Sequence, residues 1–122
     1  MVLKGSFYKV KERTASENKI NAVIELDPAH EIYKGHFPQQ PIVPGVCQMQ
    51  ILKEMLEEAS GKKLRMGNND NIKFTGMIIP DQNPVVNIEL SYQDKEGMIA
   101  AEAKLFSGET IFTKYKGKFK VM

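Results

Sequence analysis

The stretch from residue 35 to residue 59, GHFPQQPIVPGVCQMQILKEMLEEA, decides the fold. Its first part contains prolines at positions 38, 41 and 44. Each proline fixes φ and removes a backbone donor, so this part is predicted to be a stiff, extended loop. From Gly45 onward the spacing of apolar residues becomes helical, which predicts one amphipathic helix from Gly45 to Ala59.

The predicted helix has one wide apolar side and one charged side. Ser60 and Gly61 supply its end, because glycine commonly terminates a helix. Gln48 is a polar residue inside the apolar arc and is expected to hydrogen bond either the proline loop or a dimer partner. The apolar arc contains Met49, Ile51, Leu52, Met55, Leu56 and Ala59, and the opposite side contains Gln50, Lys53, Glu54, Glu57 and Glu58.

Alternating apolar and polar residues predict strands on both sides of this helix. Two strands come before it and four after it, which indicates an α+β protein with a helix covering one face of an antiparallel sheet. One long helix and a large twisted sheet suggest that the sheet wraps the helix, which is the outline of a hot-dog fold. The predicted strands span residues 6–10 (the weakest pattern), 21–26, 72–79, 86–92, 98–106 and 110–121.

Length and composition restrict the other possibilities. A chain of 122 residues predicts a single domain, residues 1–122. There are 17 basic and 15 acidic residues, so the formal net charge of +2 is too small to indicate a nucleic-acid partner. One cysteine and two histidines leave no ordinary zinc site. No apolar run could span a membrane, and the start MVLKGSFYKV lacks a signal peptide's apolar core, which predicts a cytoplasmic protein.

The proline loop and the helix start bring two chemically useful groups into one stretch. His36 supplies a base on a rigid loop, and Gly45 opens the helix nine residues later. A helix start presents unpaired N–H groups and the positive end of the dipole, which suits an oxyanion hole for a polarised carbonyl oxygen. Glycine also allows a substrate to approach the backbone closely.

These residues resemble the β-hydroxyacyl-acyl carrier protein dehydratases of fatty-acid synthesis (FabZ/FabA-like), a hot-dog family. Residues 35–46 match the family pattern G-H-F-P-x-x-P-x-x-P-G-V without a gap. Phe74 with Pro80 and Asp81 resembles the family's F-x-x-P-x-x-P-G-D element, with altered spacing and no glycine. The resemblance runs from about Ala22 to the end of the chain, whereas the family's leading helix and L-P-H-R-Y-P-F segment are missing.

The resemblance implies chemistry on an acyl thioester. In the family a histidine removes the proton α to the thioester, a carboxylate on the central helix assists departure of the β-hydroxyl, and a glycine N–H binds the thioester oxygen. These roles fall on His36, position 50 and Gly45. Position 50 departs from the family pattern, since Gln50 stands where the family has Glu or Asp, and an amide does not titrate near neutral pH.

Three hypotheses follow from Gln50. In the first, Gln50 orients the hydroxyl and water or His36 carries the proton. In the second, Glu54 takes over the acid role, because it lies one turn further along the same stripe, about 6 Å away. The family typically has Gln at position 54, so the two residue types look exchanged. In the third, the site no longer dehydrates anything.

The resemblance also implies partners. Phe37, Val43 and Val46 would line the acyl path, and no metal or organic cofactor is implied. The substrate would be an acyl carrier protein or coenzyme A thioester. The family pocket forms between two subunits, with the histidine from one and position 50 from the other. A homodimer is therefore expected, with a higher oligomer or a heteromer with a homologue as alternatives. The rival functions are a non-catalytic dehydratase-like subunit or acyl-carrier binding module, and a hot-dog acyl thioesterase.

Three features outside this motif have simpler interpretations. Cys47 in the first helical turn is interpreted as a buried packing residue rather than a nucleophile. His30 is interpreted as a loop residue near the mouth of the site. A lysine stripe in the last strand either protects a sheet face or edge from aggregation or docks an acidic carrier protein. The stripe consists of Lys114, Lys116, Lys118 and Lys120.

Overall fold

The computed structural model describes residues 2–35, 40–67 and 71–122. Within these ranges the chain begins with two strands and ends with three long ones, and its main helix lies between the two groups. The elements in chain order are β1 (Tyr8–Ser16), β2 (Lys19–Leu26), α1 (Ile32–Gly35), α2 (Gly45–Ser60), β3 (Leu64–Met66), β4 (Asn71–Phe74), β5 (Val85–Lys95), β6 (Met98–Ser107) and β7 (Thr110–Val121).

All of these strands join one antiparallel sheet in the order β1-β2-β5-β6-β7-β3, with β4 also pairing with β7. Strands β3 and β4 share β7: Leu64 pairs with Val121 near its end, and Phe74 pairs with Thr113 near its start. Alternate residues of β2, such as Ile24, are buried while their neighbours are more exposed, as the period of two requires.

The sheet curls around α2, whose apolar arc is buried as predicted. Gly61 ends the helix in the left-handed conformation, with φ of 71°, and its N–H donates to the carbonyl of Glu57. The predicted α+β hot-dog fold is therefore confirmed. Among the described residues no helix has the length and apolar character needed to cross a bilayer. The buried residues of α2 are Cys47, Gln48, Met49, Ile51, Leu52, Met55 and Leu56, and Ala59 is partly buried.

The predicted strand at 72–79 was wrong in its second half. Strand β4 ends at Phe74, because the N–H groups of Thr75 and Gly76 both donate to the carbonyl of Phe112 and the regular ladder stops there. Further along, the carbonyl of Ile78 accepts a hydrogen bond from the N–H of Val43. The segment after β4 therefore pairs with the proline loop instead of extending the sheet.

The strands before and after the loop also differ from the expectation. The weak prediction at 6–10 corresponds to β1, which starts at Tyr8 and continues to Ser16 through exposed residues that show no apolar alternation. The three-residue strand β3 was not predicted. The polar residues at 67–71 predict a turn. This stretch lies partly outside the described residues, and Asn71 already belongs to β4.

Gln48 connects the helix to the loop and to the sheet. Its side chain is only 3% exposed. The amide nitrogen donates to the carbonyl of Val43 at 3.5 Å, and the amide oxygen accepts a hydrogen bond from the hydroxyl of Thr113 on β7. The expectation that Gln48 bonds to the proline loop is confirmed, and the bond to Thr113 adds a link that fixes the helix start against the sheet.

We expect Thr113→Val to lower the free energy of unfolding by about 1–3 kcal/mol, because it leaves the buried oxygen of Gln48 without its donor. Urea denaturation measures this change. The double variant Gln48→Met/Thr113→Val should recover part of the loss, since neither polar partner is then left alone. Thr110→Val, an exposed position on the same strand, is the control. An equal effect at both threonines would contradict this account of Gln48.

Candidate functional site

The amino end of α2 presents backbone donors to the site. Pro44 is the N-cap, in an extended conformation with φ of −64° and ψ of 148°, and no side chain caps the helix. The N–H groups of Cys47 and Gln48 donate to the carbonyl of Pro44, at 3.0 and 3.1 Å. The N–H of Gly45 precedes them, at a position where a helix provides no internal acceptor. It therefore lies at the positive end of the helix dipole.

An open cleft of about 500 Å³ begins at this helix end. Gly45 and Gln50 both line it, so the predicted oxyanion donor and the residue at the family's acid position share one space. Val46, predicted for the acyl path, lines it as well, whereas Val43 lies outside it and is buried in the core. The remaining lining residues, Met49, Lys53, Met66, Ile72 and Phe74, give the cleft a mainly apolar wall.

Several of these lining residues were missed from the sequence. Ile72 and Phe74 alternate along β4, a signal that indicated a strand but not which strand would lie beside α2. Met66 belongs to a strand too short to predict from its pattern. Lys53 was assigned to the charged side of the helix, which is correct, but that side borders the cleft.

Phe74 packs over the helix start at the position where a glycine is required. A Cβ atom added to Gly45 would lie 2.7 Å from Cζ of Phe74, closer than real Cβ contacts. The Phe74 side chain is 54% exposed and closes over this glycine from β4. The absence of a side chain at Gly45 thus allows an aromatic ring, or a substrate in its place, to approach the backbone donor.

Glu54 lies directly behind Gln50 on the helix. The amide nitrogen of Gln50 donates to Oε2 of Glu54 at 2.9 Å. The same carboxylate accepts from the N–H groups of Leu3 and Lys4, at 2.7 and 2.9 Å, and from the hydroxyl of Tyr8 at 3.0 Å. An ionised carboxylate can accept hydrogen bonds but cannot donate them. Glu54 therefore determines that the amino group of Gln50, and not its carbonyl oxygen, faces the carboxylate.

Tyr8 is held in its protonated form by this arrangement. Burial, and then the nearby charge of Glu54, raise the pKa of the phenol well above its usual value. The hydroxyl therefore remains a donor to Glu54 at neutral pH. The carboxylate thus joins three donors of the N-terminal segment to the helix that carries Gln50.

Cys47 has the packing role that was expected, whereas His30, which was expected near the mouth of the site, is not among the described residues that line the cleft. Cys47 is 2% exposed and burial raises the pKa of its thiol, which fits a packing residue and not a nucleophile. The Nδ1 atom of His30 accepts from the N–H of Ile32 at 3.1 Å, and the imidazole packs edge-on against Phe7, so it caps α1. His36 and Phe37 lie outside the described residues.

We expect a double-mutant cycle to detect the contact between positions 45 and 74. In a Phe74→Ala background, Gly45→Ala should raise the free energy of unfolding by roughly 0.5–1 kcal/mol, because alanine favours the helix. With Phe74 present this gain should be lost to the clash, which gives a measurable coupling. Gly35→Ala, whose Cβ would meet no atom within 4 Å, is the control. Equal effects of Gly45→Ala in both backgrounds would contradict the contact.

Solved structures with a similar fold include a dehydratase heterocomplex and a hypothetical thioesterase. The dehydratase heterocomplex ApeI:P of Xenorhabdus doucetiae superposes with a TM-score of 0.72 over 92% of this chain and 96% of that one, at 18% identity. A hypothetical thioesterase with coenzyme A from Streptococcus pneumoniae gives 0.65 over 94% of this chain and 85% of its own, at 7% identity. At these identities the similarity supports the fold alone.

Sequence comparison identifies the family. The 3-hydroxyacyl-[acyl-carrier-protein] dehydratase FabZ of Streptococcus equi subsp. zooepidemicus is 31% identical over 98 residues, which cover 74% of this chain and 69% of the relative. The family model described as ApeI dehydratase matches residues 12–110. This match includes the proline loop, α2 and the cleft. The chain therefore belongs to the ApeI-like dehydratase family, as the FabZ-like motif predicted.

Proposed function

We propose that this chain dehydrates (3R)-3-hydroxyacyl thioesters to trans-2-enoyl thioesters in fatty-acid or related lipid or polyketide synthesis. The observation that carries the proposal is the shared cleft: in a member of a dehydratase family, the helix-start donor Gly45 and position 50 line one space. The FabZ relatives are named for substrates on acyl carrier protein. We propose the same substrate class here, and the cytoplasm as its location.

The proposed reaction needs two groups to act together. The N–H of Gly45 would donate to the thioester oxygen and stabilise the negative charge that develops there. The imidazole of His36 would take the proton from the α-carbon, and the electrons of that C–H bond would form the double bond to the β-carbon. The bond between the β-carbon and the hydroxyl oxygen then breaks, and this oxygen leaves as water after receiving the proton from His36.

Gln50 is proposed to orient the β-hydroxyl. Its amide does not titrate near neutral pH, so it cannot supply the proton. With its amino group directed at Glu54, the amide presents its carbonyl on the opposite branch, as an acceptor for a hydroxyl hydrogen. This favours the first of the three hypotheses, in which water or His36 carries the proton, and we propose that His36 does so.

Glu54 is proposed to position Gln50 rather than to act as the acid. Its two oxygens already accept from Leu3, Lys4, Tyr8 and Gln50. Protonating the carboxylate to make it an acid would cost it part of this set of hydrogen bonds. The exchange of residue types between positions 50 and 54 would thus place the amide of Gln50 against the substrate, and the carboxylate of Glu54 would act only through Gln50.

The active form is proposed to be a homodimer. Val46 is 75% and Phe74 is 54% exposed, and both line the cleft, so its apolar wall continues onto the surface. Met77, 64% exposed, follows shortly after Phe74. A second copy would cover these side chains. It would also bring its own His36 and Phe37 to the cleft, as the family resemblance implies.

One rival function has an observation in its favour. Gln50 in place of the family carboxylate fits a non-catalytic dehydratase-like subunit that pairs with an active homologue. The thioesterase alternative has only the similarity of fold at 7% identity. These alternatives differ in the product that they would form.

We expect the purified protein to convert a 3-hydroxyacyl thioester into the enoyl thioester and to leave a saturated acyl thioester intact. His36→Ala should lower the rate on the order of 10² to 10⁴ fold, because the base is lost. Chromatography of the thioesters, with a thiol reagent in parallel, distinguishes the outcomes. Free thiol would indicate a thioesterase, and no product from either substrate would indicate the non-catalytic subunit.

Two substitutions at Glu54 separate positioning from acid catalysis. Glu54→Gln should keep kcat within a few fold, since the amide oxygen still accepts from Gln50 and Leu3 and the new amino group can donate to the Tyr8 hydroxyl. The exposed N–H of Lys4 loses its acceptor, which should lower stability and not kcat. Glu54→Ala removes the acceptor and should lower kcat roughly 10-fold or more with little change in KM.

Tyr8→Phe is the matched control for the Glu54 variants. It removes one hydrogen bond from Glu54 without touching Gln50, so it should reduce stability and leave kcat unchanged. If Glu54→Gln loses as much activity as His36→Ala, Glu54 is the acid and the positioning role is refuted.

A further inference from the structure

Lys53 places a positive charge in a cleft whose other walls are mainly apolar. Of the described residues that line this cleft, Lys53 alone carries a charge. Its side chain is only 25% exposed, so most of it is removed from water. A lysine that is covered to this extent usually has a partner for its ammonium group. The charge at this position therefore needs an explanation.

The protein gives this ammonium group only a loose partner. Oε2 of Glu57 lies 3.7 Å from Nζ of Lys53, which is longer than a hydrogen bond. The same Oε2 accepts from the N–H of Leu64 at 2.9 Å, so Glu57 also holds β3 against the helix. The ammonium group makes no hydrogen bond to any residue in the described part of the chain, and its N–H donors are therefore open to a ligand.

The order of residues along α2 matches the order of groups in the proposed substrate. The thioester oxygen is placed at Gly45 and the β-hydroxyl at Gln50, so the rest of the acyl chain would continue toward Lys53. Lys53 lies three residues beyond Gln50, which is about 4.5 Å along the helix axis. An extended chain advances about 1.2 Å per bond, so Lys53 would lie beside the carbon roughly three or four bonds past the β-carbon. This carbon is C6 or C7 of the acyl chain.

A plain alkyl chain is a poor match for this position. It would exclude water from the ammonium group and offer no acceptor in return, which is unfavourable for a covered charge. An oxygen atom on the chain would instead accept a charge-assisted hydrogen bond from Nζ of Lys53. The cleft is therefore suited to an acyl chain that carries an oxygen substituent near Lys53.

Nearby charges favour a neutral oxygen over a carboxylate at this point. Glu57 lies beside the ammonium group, and Glu54 directly follows Lys53 in the sequence. One positive and two negative charges give this group of residues a formal charge of −1. A carboxylate on the acyl chain would be repelled by both glutamates, whereas a hydroxyl or a carbonyl oxygen would not.

We propose that Lys53 forms a specificity subsite for a neutral oxygen, as a hydroxyl or a carbonyl, at C6 or C7 of the acyl chain. The inference rests on the proposed function and narrows its substrates to thioesters whose chain is oxygenated beyond the β-carbon. A lysine can also direct its ammonium group into water and let an apolar chain lie along its stem. In that case the protein would show no preference between oxygenated and plain chains, so these are the two substrates to compare.

Lys53→Met tests the subsite, because it keeps a long unbranched side chain and removes the donor. For the wild type, kcat/KM should be roughly 10-fold higher for 3,7-dihydroxyoctanoyl-N-acetylcysteamine than for 3-hydroxyoctanoyl-N-acetylcysteamine. In Lys53→Met this ratio should fall to within about twofold, since methionine cannot donate to the hydroxyl at C7. Lys63→Met, which changes an exposed lysine outside the cleft, should keep the wild-type ratio. Chromatography of the enoyl products measures these rates.

Glu57→Gln tests why a carboxylate is disfavoured. Its amide oxygen can still accept from the N–H of Leu64, while the negative charge beside Lys53 is removed. The wild type should use 3-hydroxyoctanedioyl-N-acetylcysteamine, whose chain ends in a carboxylate, no better than the unsubstituted substrate. Glu57→Gln should raise kcat/KM for the carboxylate-ended substrate several-fold and change that for the unsubstituted one little.

Binding measured without turnover separates this inference from the proposed function. Octanoyl and 7-hydroxyoctanoyl thioesters lack a β-hydroxyl and cannot be dehydrated, and calorimetry should show that the wild type binds the second about 10-fold more tightly. This preference, without enoyl formation from the 3-hydroxy substrates, would support the subsite and refute the proposed function. The subsite would be overturned by equal binding of the two thioesters, by no binding of either, or by an equal loss of preference in Lys53→Met and Lys63→Met. Tighter binding of a carboxylate-ended chain by the wild type would overturn it as well.

Discussion

The sheet wraps α2 so closely that only one stripe of the helix remains accessible, and the site depends on this constraint. Val46, Gln50 and Lys53 are spaced by four and three residues, which places them on one face of a helix. The opposite side of the helix, which includes Cys47, Gln48, Ile51, Leu52, Met55 and Leu56, is buried. Any group that α2 contributes to chemistry must therefore lie on this stripe or at the open first turn, where Gly45 presents its N–H.

Within that stripe, the pair Gln50 and Glu54 sets what the site can do. The amide is next to the cleft and the carboxylate is behind it, tied to the N-terminal segment by Leu3, Lys4 and Tyr8. The negative charge thus contributes to the fold and to the orientation of Gln50. In the proposed mechanism one imidazole has to remove the α-proton and also supply the proton to the leaving hydroxyl, a more demanding task than sharing these two transfers with a second acid.

The sequence predicted those parts of the structure that depend on residues close to one another along the chain. Prolines keep residues 41–44 out of helices and strands, periodicity fixes α2, and alternation fixes β5 to β7, so the hot-dog fold and the Gly45 helix start followed directly. The sequence could not predict which strand would lie beside the helix start. The contact of Phe74 with Gly45, the exit of the chain from the sheet at Thr75, and the bond of Gln48 to Thr113 join residues far apart along the chain.

The role of Glu54 was open for the same reason. Its spacing from Gln50 placed the two on one stripe, but its other partners come from residues about 50 positions earlier. Likewise, the lysine stripe of β7 was recognisable in the sequence, whereas its alignment with Lys73 and Lys104 depends on strand register. The local sequence pattern thus identified the candidate side chains, whereas contacts between distant parts of the chain decide which residues lie beside them.

The most direct test of the central claim follows the α-proton. Dehydration is reversible, so the protein incubated with a trans-2-enoyl thioester in D₂O should form the 3-hydroxyacyl thioester with one deuterium at the α-carbon, as seen by NMR. The account predicts this label with the wild-type protein and with Glu54→Gln, and its loss with His36→Ala. A wild-type protein that adds neither water nor deuterium, or a His36→Ala variant that still labels the α-carbon, would contradict it.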